Sequence, residues 1–89
     1  MKPIRLSAHA QDYMVKRGVS AAEVEEAIRT APWTPAELGR LECHKDFTFG
    51  RDWNGVVFAT KRVQPIFAEE ADELVVVTVY TYYLREGGG

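Results

Sequence analysis

A histidine near the start of the first predicted helix is the residue best suited to chemistry in this chain. Tyr13 and Lys16 follow His9 at i+4 and i+7, so all three lie on one helix face. Because the histidine side chain titrates near neutral pH, His9 is a candidate general acid or base. The alternative is a structural role, in which the imidazole caps the helix or packs between helix and sheet.

Arg17 closes the same predicted helix beside apolar neighbours. Its guanidinium is able to bind a carboxylate or a phosphate through two parallel hydrogen bonds. Alternatively, its stem covers apolar surface and its charge is favoured by the helix dipole.

A third group of candidate residues lies on the predicted strands. Arg51, Lys61 and Arg62 flank a predicted hairpin, and Thr78 and Tyr80 share one face of the last strand. Cations beside hydroxyl groups on a concave sheet are suited to hold an RNA phosphate and to stabilise developing charge. The alternative is ordinary cross-strand pairing and protection of sheet edges.

The chain carries few signals for a metal or cofactor. His44 shares a predicted strand face with Glu42 and Asp46, which would allow a weak metal site, but alternating polar residues are expected on any outward strand face. The sequence has no Gly-rich phosphate loop, paired-carboxylate motif or Gly-x-Ser-x-Gly elbow. We therefore expect neither a cofactor nor a metal.

Length and composition predict one small domain. The 89 residues are 46% hydrophobic and 27% charged, so we expect a single domain over residues 1–86 and a flexible tail over residues 87–89. No apolar run approaches the roughly 20 residues of a membrane span. With one cysteine, no apolar stretch behind Met1 and no possible intramolecular disulfide, the sequence favours a cytoplasmic protein.

The net charge of −2 weighs against a domain that coats nucleic acid, since such domains are usually strongly basic. The charge is unevenly distributed, however. Four of the 13 acids fall within residues 69–73, and without them 11 basic residues face nine acids. A local basic site elsewhere on the surface is therefore compatible with the composition.

The first third of the chain predicts two helices after a short edge strand at residues 4–6. Ser7 is a candidate N-cap for a helix over Ala8–Arg17, with Gly18 as its left-handed end. Ser20 and Glu23 form the pattern of a capping box, and the second helix is expected to end at Pro32.

The remainder predicts strands. Residues 41–49 alternate, Asn54-Gly55 is a two-residue hairpin signal, and residues 56–60 and 62–68 are extended. Residues 74–83 predict the central strand, since they are apolar on both faces. The predicted fold is α+β, with two N-terminal helices packed on one face of a three- to four-stranded, mainly antiparallel sheet.

The order of several short motifs resembles the bacterial and archaeal domain-of-unknown-function family 4258 over nearly the whole chain. The motifs are Leu6-Ser7-Ala8-His9-Ala10, Lys16-Arg17-Gly18-Val19-Ser20, Glu23-Val24, Ala27-Ile28 and Val76-Val77-Thr78-Val79-Tyr80. That family is similar to RelE-like and BrnT-like toxins, which implies a RelE-like or barnase-like fold and a metal-independent endoribonuclease. The resemblance implies that His9 is the base or acid, that Arg17 and Arg62 hold the phosphate, and that Thr78 and Tyr80 position the transition state.

Two hypotheses follow. In the first, the chain is a toxin-type endoribonuclease neutralised by a small antitoxin; His9, Arg17 and Thr78 are catalytic, and Lys61, Arg62 and Tyr80 bind the RNA. These residues should then converge on one positively charged face.

In the second hypothesis, the chain is a non-catalytic protein-interaction module. Its long last strand pairs with the same strand of a second copy, giving a homo-oligomer, or with a partner protein. His9 should then be packed structurally, and no cationic groove should exist.

Overall fold

The first strand and the first helix begin and end where the sequence predicts. The computed structural model describes residues 1–85, so the tail predicted at residues 87–89 lies outside the described residues. Strand β1 spans Ile4–Leu6, and helix α1 spans Ala8–Arg17. The Ser7 hydroxyl accepts a hydrogen bond from the Ala10 N–H at 3.1 Å, which confirms the predicted N-cap.

Helix α2 spans Ala21–Thr30 and starts with the predicted capping box. The Ser20 hydroxyl accepts from the Glu23 N–H at 3.1 Å, and the Glu23 carboxylate accepts from the Ser20 N–H at 2.9 Å. The helix ends at Thr30, two residues before Pro32, and Ala31 is extended (φ −93°, ψ 152°). A proline disfavours helical backbone in the residue before it, which explains the early end. Neither helix in residues 1–85 has the length and hydropathy needed to cross a membrane.

Within residues 1–85 the sheet has six strands rather than the predicted three or four, and it is mixed, with one parallel pairing beside the expected antiparallel ones. The remaining strands are β2 (Thr34–Pro35), β3 (Leu41–Glu42), β4 (Lys45–Trp53), β5 (Val56–Glu69) and β6 (Leu74–Leu84). Their order is β1-β6-β5-β3-β2, and β4 pairs with β5 as well. Only the β1–β6 pairing in the described chain is parallel. The α+β class and the central position of β6 are confirmed.

The strand predicted over residues 41–49 is broken into β3 and β4 at Cys43 and His44. Both pieces pair with β5, where Cys43 comes opposite Pro65. The Cys43 N–H donates to the Pro65 carbonyl at 3.3 Å, but proline has no N–H to return the second bond of the pair. The ladder is therefore interrupted at this position.

The β4–β5 hairpin has the predicted two-residue turn. Asn54 (φ 54°) and Gly55 (φ 84°) both have positive φ, as a type I′ turn requires. Strand β5 then runs without interruption through the two segments that the sequence predicted separately.

The core lies between the two helices and one face of the sheet. Helix α1 packs against β6 and α2 against β5. The buried apolar residues of this core are Ala10, Met14, Val19, Val24, Ala27, Ile28, Cys43, Val63, Phe67, Leu74, Val76 and Val79. The opposite face of β5 and β6 is left partly exposed, and Tyr80 and Tyr82 are 41% and 47% exposed there.

Candidate functional site

A groove with two adjoining lobes lies where β6 passes between α1 and the short 3₁₀ turn Glu37–Gly39. The helix lobe, of about 310 Å³, is lined by His9, Tyr13, Arg40, Val77, Thr78 and Tyr80. The turn lobe, of about 590 Å³, is lined by Pro35, Ala36, Glu37, Leu38, Arg40, Glu42, Ile66, Thr78 and Tyr80. Arg40, Thr78 and Tyr80 line both lobes, so the two form one continuous surface.

A β-bulge in β6 places the strand residues of this groove. Ile66 pairs with Thr78 and Phe67 pairs with Val76, so Val77 is an extra residue without an opposite partner on β5. Its carbonyl accepts from the Ser7 hydroxyl at 3.3 Å, which ties the bulge to the start of α1. Thr78 and Tyr80 thereby come beside His9, whose helix begins at the same serine.

The side chains of His9, Tyr13 and Arg17 form a row along α1. The imidazole meets the Tyr13 ring edge-on, with centroids 4.5 Å apart. The Arg17 guanidinium carbon lies 4.8 Å from the centroid of the same Tyr13 ring. His9 is exposed at the surface rather than packed between helix and sheet. Arg17 contacts the Tyr13 ring but lines neither lobe.

Lys61 does not lie where a substrate-binding residue was expected. Its side chain is buried, with 3% of the residue exposed, on the face of the sheet that the helices cover. Its ammonium donates to the Glu23 carboxylate at 2.8 Å and to the Gly18 carbonyl. We therefore leave Lys61 out of the candidate site.

Arg62 lies on the open face but outside both lobes. Its guanidinium donates two hydrogen bonds to the Asp46 carboxylate, at 2.7 and 3.0 Å. These bonds hold the pKa of Asp46 below its usual range and raise that of Arg62. Binding a phosphate here would require Arg62 to give up this bidentate pair.

Arg40 is a groove residue that the sequence did not single out. Seven ion pairs form within residues 1–85, and their cations are Lys2, Arg5, Lys16, Arg29, Lys45, Lys61 and Arg62. Arg40 takes part in none of these pairs, so its guanidinium is available to an anionic ligand. Its position depends on the turn before it, where the Arg40 N–H donates to the Glu37 carbonyl at 3.1 Å.

Of the polar residues Glu42, His44 and Asp46, the two acids bond to residues of the neighbouring strand, and His44 is exposed. Glu42 accepts from the Gln64 amide at 3.4 Å, and Asp46 pairs with Arg62. Within residues 1–85 no three His, Cys, Asp or Glu side chains are grouped to hold a metal ion. Cys43 between them is buried, and burial raises the pKa of its thiol to about 11. The thiol is thus kept in its unreactive neutral form at physiological pH.

A family model described as Domain of unknown function (DUF4258) matches residues 6–81. The chain belongs to this family. No curated protein and no solved structure matches the chain. The match runs from the last residue of β1 into β6 and therefore includes every residue of both lobes. All residues that line the groove of this DUF4258 domain therefore lie within the part of the chain that the family model covers.

Proposed function

We propose that this DUF4258 domain is a metal-independent endoribonuclease whose active centre is the helix lobe. The observation that carries the proposal is the lining of this lobe. An imidazole (His9), a guanidinium (Arg40) and the hydroxyl groups of Thr78 and Tyr80 meet there, with no carboxylate among the lining residues. Such a set is suited to a phosphodiester, which needs a proton acceptor and fixed positive charge.

The proposed reaction is attack of a ribose 2′-hydroxyl on the adjacent phosphate. Neutral His9 takes the 2′-hydroxyl proton as the O2′–P bond forms. The P–O5′ bond breaks, and water protonates the departing O5′. The imidazolium then returns its proton to solvent, so the products are a 2′,3′-cyclic phosphate and a 5′-hydroxyl end.

The neighbouring residues have distinct roles in this proposal. Arg40 holds the phosphate oxygens, and Thr78 and Tyr80 donate hydrogen bonds as negative charge develops. Arg17 is a positioning residue, because it stacks on the Tyr13 ring that contacts His9. Arg62 lies outside the active centre in this scheme, since Asp46 occupies its guanidinium.

We further propose that the resemblance of the sequence motifs to RelE-like and BrnT-like toxins extends to an RNA substrate and a cytoplasmic setting. A small antitoxin protein that covers the groove is the partner that this function would need. The open groove beside exposed Tyr80 offers such a protein an uncovered surface.

Induced expression in a bacterium tests the proposal, with growth and total-RNA integrity as readouts. Wild type should arrest growth and fragment RNA, and His9→Ala should do neither at equal soluble expression. His44→Ala is the matched control, since His44 is also exposed but lines neither lobe. Intact RNA at high expression of soluble wild type would contradict the nuclease.

A second candidate function is a non-catalytic protein-interaction module. The pairing of Arg62 with Asp46 favours this second function, because a paired Arg62 is not a free cation that could bind a phosphate on the open face. The exposed rings of Tyr80 and Tyr82 are typical of protein interfaces. Intact RNA together with a stable homo-oligomer or a captured protein partner would favour this function.

A further inference from the structure

The two lobes of the groove differ in charge. The turn lobe contains the carboxylates of Glu37 and Glu42 beside Arg40, whereas the residues lining the helix lobe include no acid. A phosphate is therefore repelled from the turn lobe and favoured in the helix lobe. Besides Thr78, the rest of the turn lobe is apolar or aromatic, with walls from Pro35, Ala36, Leu38, Ile66 and Tyr80. This combination suits a flat, uncharged ring that donates hydrogen bonds.

We infer that the turn lobe binds the guanine base of the nucleotide adjoining the scissile phosphate. This inference rests on the proposed function and names the substrate preference of the same groove. Guanine is the RNA base with neighbouring donors, N1–H and the N2 amino group, on its pairing edge, and carboxylates only accept. Adenine and cytosine present one amino group each, and uracil presents a single N–H, so they satisfy Glu37 and Glu42 less well.

The geometry of the shared wall fits one nucleotide. Arg40, Thr78 and Tyr80 line both lobes. A phosphate in the helix lobe and a base in the turn lobe would therefore be neighbours, as they are in one nucleotide. The volume of about 590 Å³ is within the range of small-molecule sites. Tyr80 is 41% exposed and presents an aromatic ring to a base, an interaction worth about 1–3 kcal/mol per base in single-stranded RNA recognition.

One carboxylate of the turn lobe is carried by a strand, which supports recognition by hydrogen bonds. Glu42 lies on β3 directly opposite Ile66 of β5, and the Gln64 amide donates to its Oε2 at 3.4 Å. Its other carboxylate oxygen remains for a ligand. A carboxylate held on a strand discriminates between bases better than one on a flexible loop.

Leu38 lies at the rim of the same lobe. It has left-handed backbone (φ 58°, ψ 34°), and it is 84% exposed. A leucine rarely adopts this conformation, and such strained residues are found preferentially at ligand sites. An isobutyl group held out at the edge of the lobe is placed to cover one face of a bound base.

Binding of the four nucleoside 3′-monophosphates tests the inference by NMR titration or calorimetry. Wild type should bind guanosine 3′-monophosphate at least about tenfold more tightly than the other three. Glu42→Gln and, separately, Glu37→Gln should each lower that preference severalfold. Asp46→Asn is the matched control, because Asp46 lies on the same face but outside the lobe, and it should keep the preference.

The outcomes separate this inference from the nuclease itself. RNA cleavage with equal affinity for all four nucleotides would overturn the guanine site and leave the nuclease standing. Guanine-selective binding without cleavage would support the site and contradict the nuclease. A preference that persists in both glutamate variants, or binding of a basic peptide in place of any nucleotide, would overturn the inference.

Discussion

At the scale of single residues, both the backbone conformation and the surrounding side chains require a glycine at position 18. Gly18 has φ 71°, and a Cβ added there would lie 2.8 Å from two ring carbons of Trp53. Gly39 also has φ 71° but has no atom within 4 Å of the same position. We expect Gly18→Ala to lower the free energy of unfolding by about 1–3 kcal/mol more than Gly39→Ala does. Urea denaturation measures both, and equal losses would contradict the packing.

Tyr82 and Tyr83 are neighbours with opposite surroundings. The Tyr83 hydroxyl donates to the Arg17 carbonyl at the end of α1, and burial together with the nearby Glu23 carboxylate raises the pKa of this phenol. Tyr83→Phe should therefore destabilise the fold by about 1 kcal/mol. Tyr82→Phe, at a ring 47% exposed, is the control and should change stability little. Indistinguishable denaturation midpoints for the two variants would show that the hydrogen bond contributes nothing.

The sequence predicted part of the candidate site at this scale. His9 follows from a capped helix, and Thr78 and Tyr80 follow from alternation on one strand; the structure brings these three predicted residues into one groove. The nuclease hypothesis implies that Lys61 and Arg62 both bind RNA, but consecutive strand residues point to opposite faces, and the structure separates them accordingly. Arg40 was missed because its placement depends on a turn with Leu38 in left-handed backbone, which leucine does not signal.

At the scale of elements, Glu23 links the start of α2 to β5. Burial raises the pKa of this carboxyl, but hydrogen bonds from the Lys61 ammonium and the Ser20 N–H outweigh it, so the pKa is lowered on balance. A carboxyl whose pKa is lowered by folding stabilises the folded state at pH values above its unfolded-state pKa. This stabilisation is lost as the pH falls through the pKa of the folded state.

Urea midpoints at pH 7 and pH 3 measure this contribution. Wild type should lose stability on acidification. Glu23→Gln should lose less, because it has no carboxyl at position 23 to be protonated. Glu25→Gln is the matched control on the same helix and should behave as wild type. An identical acid loss in Glu23→Gln and wild type would contradict the assigned role.

The sequence predicted the elements that depend on local signals better than those that depend on distant residues. Both helices were found because a serine cap, a capping box and a closing glycine act within one turn. The strand count was too low partly because the break between β3 and β4 depends on Pro65, more than 20 positions along the chain, and partly because β2 is only two residues long. The parallel pairing of β1 with β6 joins residues about 70 positions apart and has no local signature.

At the scale of the whole molecule, β5 joins two aromatic clusters into one unit. Trp33 packs edge-on against Phe67 in the core, at 5.0 Å, and Trp53 stacks on Tyr83 near the hairpin, at 4.7 Å. Because β5 runs through both regions, we expect a single cooperative unfolding transition.

Single-tryptophan variants test this cooperativity. In Trp33→Phe and in Trp53→Phe, the fluorescence midpoint of the remaining tryptophan should coincide with the midpoint by circular dichroism at 222 nm. An earlier fluorescence transition from Trp53 alone would show that the hairpin end unfolds separately and would contradict a single unit.

The chemistry at His9 is tested most directly by the ends of RNA cut by the purified protein in excess EDTA. We expect 2′,3′-cyclic phosphate and 5′-hydroxyl ends, no cleavage at a 2′-deoxy position, a loss of at least about 100-fold in His9→Ala, and normal rates in His44→Ala. Failure of the folded wild type to cut any RNA, or cleavage that His9→Ala leaves unchanged, would contradict the account.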